Sequence, residues 1–190
     1  MRHAVSNEIY AYWRTLGKGG CPPERNAVEP GAIRGVLADT FVLDFDPAGG
    51  FPFRISGSNV NALFMKELRG ASFLHIWRET DRAGVAAILE AAADEETPYV
   101  LVAEARPSGL APVGIEVTLL PLRHQGTTHA RMLGSLSAGG RPDWLGLIGA
   151  GHAALEAYRK LETVAPPPRP EATLPRRRAN FGAPAEAPGA

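Results

Sequence analysis

The stretch Phe51–Phe73, FPFRISGSNVNALFMKELRGASF, constrains this chain more than any other. It opens by alternation, with Phe51, Phe53 and Ile55 on one face of a strand and Pro52, Arg54 and Ser56 on the other. Gly57 breaks that strand, and a positive φ there would let the chain reverse. Ser58 or Asn59 can then cap a short helix whose Val60, Leu63 and Phe64 point back over the apolar strand face. Gly70 marks a turn, and Ser72 can cap a second short helix carrying Phe73, Ile76 and Trp77. A strand roofed at once by short helices builds a small closed pocket. Its expected lining is Phe53, Ile55, Leu63, Phe64, Phe73 and Trp77, with Met132 from a later strand.

Upstream, Ser6 begins a helix with Ile9, Tyr12, Trp13 and Leu16 along one stripe and Gly17 at its end. That stripe is rich in aromatics for its length. It can pack on its own domain or serve as an interface for a partner or a second copy. Pro30 suits the first position of another helix, whose buried side would be Ile33, Val36 and Leu37. Phe41–Phe45 reads as a strand joined to the next by DPAGG, a hairpin signal. Asp81–Glu96 is the strongest helical segment, capped by Thr80 or Asp81 and striped by Val85, Ile88, Leu89 and Ala92.

Three strands follow, Tyr99–Arg106, Val113–Leu122 and Thr127–Ser137, joined by turns that make them antiparallel. Val100 and Val102 make the outer face of the first partly apolar. Gly151–Leu161 reads as a closing helix through Leu155 and Tyr158, with Arg159 and Lys160 near its C-terminal end. From Thr163 to Ala190 the chain holds seven prolines and little apolar periodicity, the composition of a disordered tail. The expected organisation is a flanking helix and loop over 1–30, a core over 31–146, a C-terminal helix within 147–162 and a tail over 163–190.

The order of these pieces resembles the PAS-domain family, in particular short stand-alone bacterial PAS proteins. The matching segments are Tyr12-Trp13, Arg25 to Pro30, FVLDF from Phe41, FRISGS from Phe53 and ELRGASF from Glu67. LLPL from Leu119, RMLGSL from Arg131 and Trp144-Leu145-Gly146 complete the series, which covers Ser6 to Gly146. The resemblance implies an α+β fold: a five-stranded antiparallel sheet in the order 2-1-5-4-3, helices on one face and a flanking N-terminal helix. It also implies a non-enzymatic sensory or regulatory module acting through protein–protein contact, and the apolar pocket read above from the residues leaves room for a small apolar ligand.

Composition limits the alternatives. Lys+Arg and Asp+Glu stand at 20 each, so no net field draws the chain to nucleic acid or to a membrane. There is no run long enough to span a bilayer and no secretory leader, and Cys21 is the only cysteine, all of which suits a cytoplasmic protein. The identity of any cofactor is open. A flavin adduct needs a cysteine on a pocket helix, whereas Cys21 lies in the loop before the first strand. A haem needs an axial ligand. His75 is the nearest histidine, on the outward side of its helix, and His3, His124, His129 and His152 show no metal-ligand spacing.

Catalytic signatures are absent: no nucleophile elbow, P-loop, HExxH or glycine fingerprint. Asp44 and Asp46 read as solvated turn carboxylates, and Arg176-Arg177-Arg178 as solubilising charge. The rival to a contact-based module is an enzyme or binder on a cone-shaped fold of the ketosteroid-isomerase type. That rival needs a buried acid or base, for which Tyr99 and Glu116 are the candidates, and strand order separates the two folds.

Overall fold

The computed structural model describes residues 1–17, 19–107, 109–140 and 143–161, and the expected tail with its arginine cluster lies outside them. Helix α1 (Ala4–Leu16) precedes three 3-10 turns, and strands β1 (Thr40–Asp44) and β2 (Phe53–Ser56) form the hairpin. Helix α2 (Ser58–Phe64), a 3-10 turn at Phe73–Ile76 and helix α3 (Glu79–Asp94) follow. Strands β3 (Tyr99–Ala105), β4 (Val113–His124), β5 (Thr127–Ala138) and β6 (Ala153–Lys160) complete one antiparallel sheet in the order β2-β1-β5-β4-β3-β6. The expected order 2-1-5-4-3 is therefore present, extended by a sixth strand.

That sixth strand corrects the expectation of a closing helix. Ala153, Ala154, Leu155, Glu156 and Ala157 are permissive in a helix, and local propensity alone favours one. A free edge of β3 lies beside this segment, however, and its ladder runs from Ala105↔Ala153 to Tyr99↔Lys160. Arg78 N–H adds a bond to the Ala153 carbonyl at 2.9 Å, and Asp81 Oδ2 accepts from Leu155 N–H at 3.0 Å. Tertiary hydrogen bonding thus overrides a weak local preference.

Alternation sorts the sheet into two faces. Phe41, Leu43, Tyr99, Leu101, Ile115, Val117, Leu119 and Met132 point inward, where α2, the Phe73–Ile76 turn and α3 cover them. Gly134 sits between Phe41 and Leu119 in register. A Cβ there would strike the Phe41 ring and come within 2.7 Å of the Thr118 carbonyl, so glycine is what lets that ring lie flat on the sheet. The α3 stripe of Val85, Ile88, Leu89 and Ala92 is buried as expected, although the helix begins at Glu79 without a side-chain cap.

The outer face belongs to α1. Ile9 and Trp13, at 0% and 3% exposure, pack on Leu120, Leu122 and Leu133. Trp13 Nε1 donates to the Pro121 carbonyl at 2.8 Å. Tyr12 and Leu16 stay half-buried, and Tyr12 Oη accepts from Glu29 N–H at 2.7 Å. Of the four expected interface residues, Ile9 and Trp13 are therefore held by the chain's own sheet. The dock is β4 and β5 at Leu120, Leu122 and Leu133, rather than Val100 and Val102 on β3. Near Pro30 the expected helix is a 3-10 turn, with Ile33 and Val36 buried and Leu37 exposed.

Candidate functional site beside a filled aromatic core

Six of the seven expected pocket residues meet inside the domain. Phe53, Leu63, Phe64, Phe73, Trp77 and Met132 are all buried in one apolar cluster. Phe73 is the hub: its ring centroid lies 5.5 Å from Phe41, 5.6 Å from Phe53 and 5.8 Å from Trp77. Edge-to-face and tilted ring pairs at these separations are in contact, so the rings themselves fill the space between Phe41 and Trp77. Trp77 Nε1 is buried there without a hydrogen-bond partner.

Ile55 departs from the expectation. It is 53% exposed and lines an open groove with Arg25, Arg54, Glu67 and Arg69. The reason is a β-bulge: Leu43 pairs with Phe53 but the next residue back, Val42, pairs with Ile55, leaving Arg54 as an extra residue. One inserted residue turns every following side chain to the other face. Phe53 thus points in with Leu43, and Ile55 points out with Val42. Gly57 is also ordinary in conformation (φ −69°, ψ 158°), and it is the N-cap of α2, so Ser58 and Asn59 cap nothing. The other expected cap is present: Ser72 Oγ accepts from Leu74 N–H at 3.1 Å.

The vacant space lies at the shoulder of the aromatic core. A cavity of about 450 Å³ opens between α2, the end of β5 and the Leu145–Gly146 turn. Leu63, Ala62, Leu136, Ala138 and Leu145 form its apolar wall, and Asp39 and Asn59 its polar rim. The rim is preset, because Asn59 Nδ2 donates to Asp39 Oδ1 at 2.9 Å. A second cavity of about 480 Å³ lies around the other end of α2, with Phe64, Met65 and Ile76 beside Lys66, His75 and His152. Both volumes fall within the range of small-molecule sites. Sequence reading located Leu63 and Phe64 but missed Asn59 as a lining residue, and missed Asp39, Leu136 and Leu145, which meet α2 only through the tertiary fold.

The acid–base candidates are tied down outside this space. Glu116 lies buried on the outer face, accepting from Arg2 N–H at 2.8 Å and His3 N–H at 3.2 Å at the start of α1. Burial pushes its carboxyl up, but the bond from Arg2, the neighbouring Ser6 hydroxyl and the bond from His3 hold it below the ordinary carboxylate value. Tyr99 Oη donates to Glu95 at 2.7 Å, and Glu95 also pairs with Lys160 at 2.9 Å. Burial first, and the Glu95 carboxylate second, push the Tyr99 phenol up to about 12. Neither group faces a cavity in a state suited to proton transfer near neutrality.

The remaining candidates are local. Asp44 pairs with Arg131 at 3.0 Å, while Asp46 accepts from Gly49 N–H in the hairpin turn, so the two do not act as a carboxylate pair. His75 is exposed on its turn and His129 bonds Asp94 at 2.7 Å. Among the described residues no cluster of three or more His, Cys, Asp and Glu could hold a metal. Cys21 is half-buried in the loop after α1, and neither α2 nor the Phe73–Ile76 turn carries a cysteine. The residues here do not fit a flavin working through a cysteine adduct.

A sheet of this order, covered by short helices on one face and flanked by an N-terminal helix on the other, defines a PAS-type domain. Comparison of sequences agrees: the family profile described as PAS domain matches residues 1–137, and the chain belongs to the PAS-domain family. Membership places it among sensory and regulatory modules, which are typically non-enzymatic, and displaces the ketosteroid-isomerase-type fold. Among solved structures, the Rhodobacter sphaeroides LOV protein is similar at 13% identity and TM-score 0.44, with 61% of this chain and 71% of that one covered. The d2 variant of RsLOV gives 16% identity and TM-score 0.45 over 58% of this chain and 66% of that one. At these scores the likeness carries no functional argument. No curated protein matches the chain. No helix among the described residues is long and apolar enough to cross a membrane.

Proposed function

We propose that this chain is a non-enzymatic sensory PAS module of the cytoplasm, which holds a small, largely apolar ligand beside α2 and signals by protein contact. The observation that carries this is the 450 Å³ cavity walled by Leu63, Leu136, Ala138 and Leu145. An apolar body fits that wall, and one hydroxyl, amide or amine fits the Asp39–Asn59 rim. Occupancy would brace α2 against β5, and the change would be read where α2 and the Leu145–Gly146 turn reach the surface. The tethered Glu116 and Tyr99 support a binding role over a catalytic one.

The test is a native mass spectrum of protein purified from its own host, beside that of Ala138→Phe. The phenyl ring would fill the cavity from its sheet side without entering the aromatic hub. A bound small molecule in the wild type, lost in a variant that still melts cooperatively, is the expected result. Wild-type protein that carries no molecule, and whose melting temperature no small apolar compound raises, would remove the ligand from this reading.

A further inference from the structure

The second cavity, of about 480 Å³, differs from the first in the charge of its wall. It is built by the end of α2, the turn at Phe73–Ile76 and the crossing segment at residues 149–152. That segment lies tight on the helix end, where Ala150 N–H donates to the Leu63 carbonyl at 2.8 Å. A Cβ at Gly149 would come within 2.8 Å of the Phe64 carbonyl, so glycine permits the approach. Helix α2 ends on Met65 in the left-handed conformation (φ 50°, ψ 39°), which is uncommon for a residue other than glycine. The chain turns there so that Met65, Lys66 and Leu68 all line the cavity. Met65 and Lys66 N–H groups close on the carbonyls of Ala62 and Asn61, so these helix-end carbonyls are already bonded, as is that of Leu63.

The floor of the cavity is apolar, with Phe64, Leu68 and Ile76 buried. Its rim is basic: Lys66, His75 and His152 line it, and no carboxylate does. All three are exposed, and among the described residues none has a side-chain hydrogen bond or ion pair. The Ser72 hydroxyl beside them is engaged, since it accepts from Leu74 N–H and donates to the Gly50 carbonyl. The cavity thus joins unused donors to an apolar floor.

We propose that this cavity is a second ligand site, for a small amphiphilic anion: a carboxylate on an apolar body. The Lys66 ammonium supplies the opposite charge, and each histidine ring a further N–H donor to the carboxylate. The apolar body lies on Phe64, Leu68 and Ile76, where its removal from water favours binding. An inorganic anion has nothing to place on that floor, and a neutral or cationic amphiphile has no charge that the rim attracts. The first cavity suits a different molecule, because Asp39 on its rim repels a carboxylate. The proposal therefore does not depend on what the first cavity holds.

Titration of the full chain with octanoate at neutral pH, followed by NMR in the methionine methyl signals, tests it. The chain has three methionines: Met1, Met65 on this cavity and Met132 in the aromatic core. The Met65 signal is expected to move saturably with a dissociation constant below about 1 mM, while Met132 stays still. 1-Octanol, octylamine and inorganic phosphate should each bind at least about fivefold more weakly. Lys66→Glu should reverse the preference, so that octylamine binds better than octanoate; the residue is exposed, and a thermal melt checks that the variant is folded. His75→Ala combined with His152→Ala should weaken octanoate by about fivefold and leave 1-octanol unchanged. A Met65 signal unmoved at about 5 mM octanoate overturns the proposal, as does equal binding of octanoate and octylamine, or a preference for octanoate that survives both variants. The wall of the first cavity carries no methionine, so its occupancy is decided by the native mass spectrum alone.

Discussion

Gly57 owes its place to what lies opposite it rather than to its own torsion angles. Its φ of −69° suits any residue, but a Cβ would collide with the Ala38 carbonyl and approach the Leu37 carbonyl at 2.7 Å. Two backbone oxygens cannot yield as a flexible side chain would. Gly57→Val is therefore expected to lower stability by ~1–3 kcal/mol through overpacking, read in urea melts. Gly57→Ala should already show most of that loss, since the clash begins at Cβ. A tolerated alanine with a costly valine would instead place the obstacle further out. Glycine in the sequence announced a break after β2, and only the fold could say that the reason was the Leu37–Asp39 turn.

Glu116 acts at the same scale, with a sign that can be worked out. Its folded-state value lies below the ordinary carboxylate value of 4.5, so the ionised form is the one that the Arg2 and His3 N–H groups stabilise. That contribution is fully present above the ordinary value and is lost as pH falls through the lower, folded one. Once corrected for the intrinsic rate, which itself slows on acidification, amide exchange across Ala4–Leu16 should therefore show an excess acceleration as pH falls below about 4.5. In Glu116→Gln that excess should vanish, with α1 already loosened by ~1–3 kcal/mol at neutral pH. An identical pH response in the variant would assign the effect to another carboxylate.

Among the elements, α1 and β6 show what periodicity can and cannot say. The stripe Ile9, Tyr12, Trp13, Leu16 named the right helix and its apolar side, because a 3.6-residue repeat in an aromatic-rich segment has few other readings. It could not say whose surface the stripe covers. The answer lies in Leu120, Leu122 and Leu133, which alternate outward on strands whose inward residues drew attention first. Trp13→Ala removes a buried indole and its bond to Pro121, and is expected to lower folding stability by ~3–5 kcal/mol without changing sedimentation of the folded fraction. A folded variant whose association alone is lost would return Trp13 to an interface. For β6 the alanine-rich composition misled, since strand pairing to β3 and the bonds from Arg78 and Asp81 are long-range facts.

For the whole molecule, the hairpin, the covering helices and the three-strand meander were legible because each element carries its own alternation or stripe. The bulge at Arg54 was not, since it depends on how β2 registers against β1, and neither was the cavity beside α2, which joins segments distant in sequence. The sixth strand sets the boundary of the folding unit, and this can be tested by shortening the chain in two steps. A chain ending at residue 162 keeps β6 and loses only a proline-rich segment of low apolar content, so its melting temperature should match that of the full chain. A chain ending at residue 152 loses the β3–β6 ladder, strips the partners from Arg78 N–H and Asp81, and removes Ala153, which covers the inner core. A loss of ~3 kcal/mol would lower the melting temperature by roughly 6–12 °C for a chain of this size. An equal melting temperature for both would make β6 an ornament on a five-stranded domain. A large drop already in the longer form would show that residues beyond 162 contribute to the folded state.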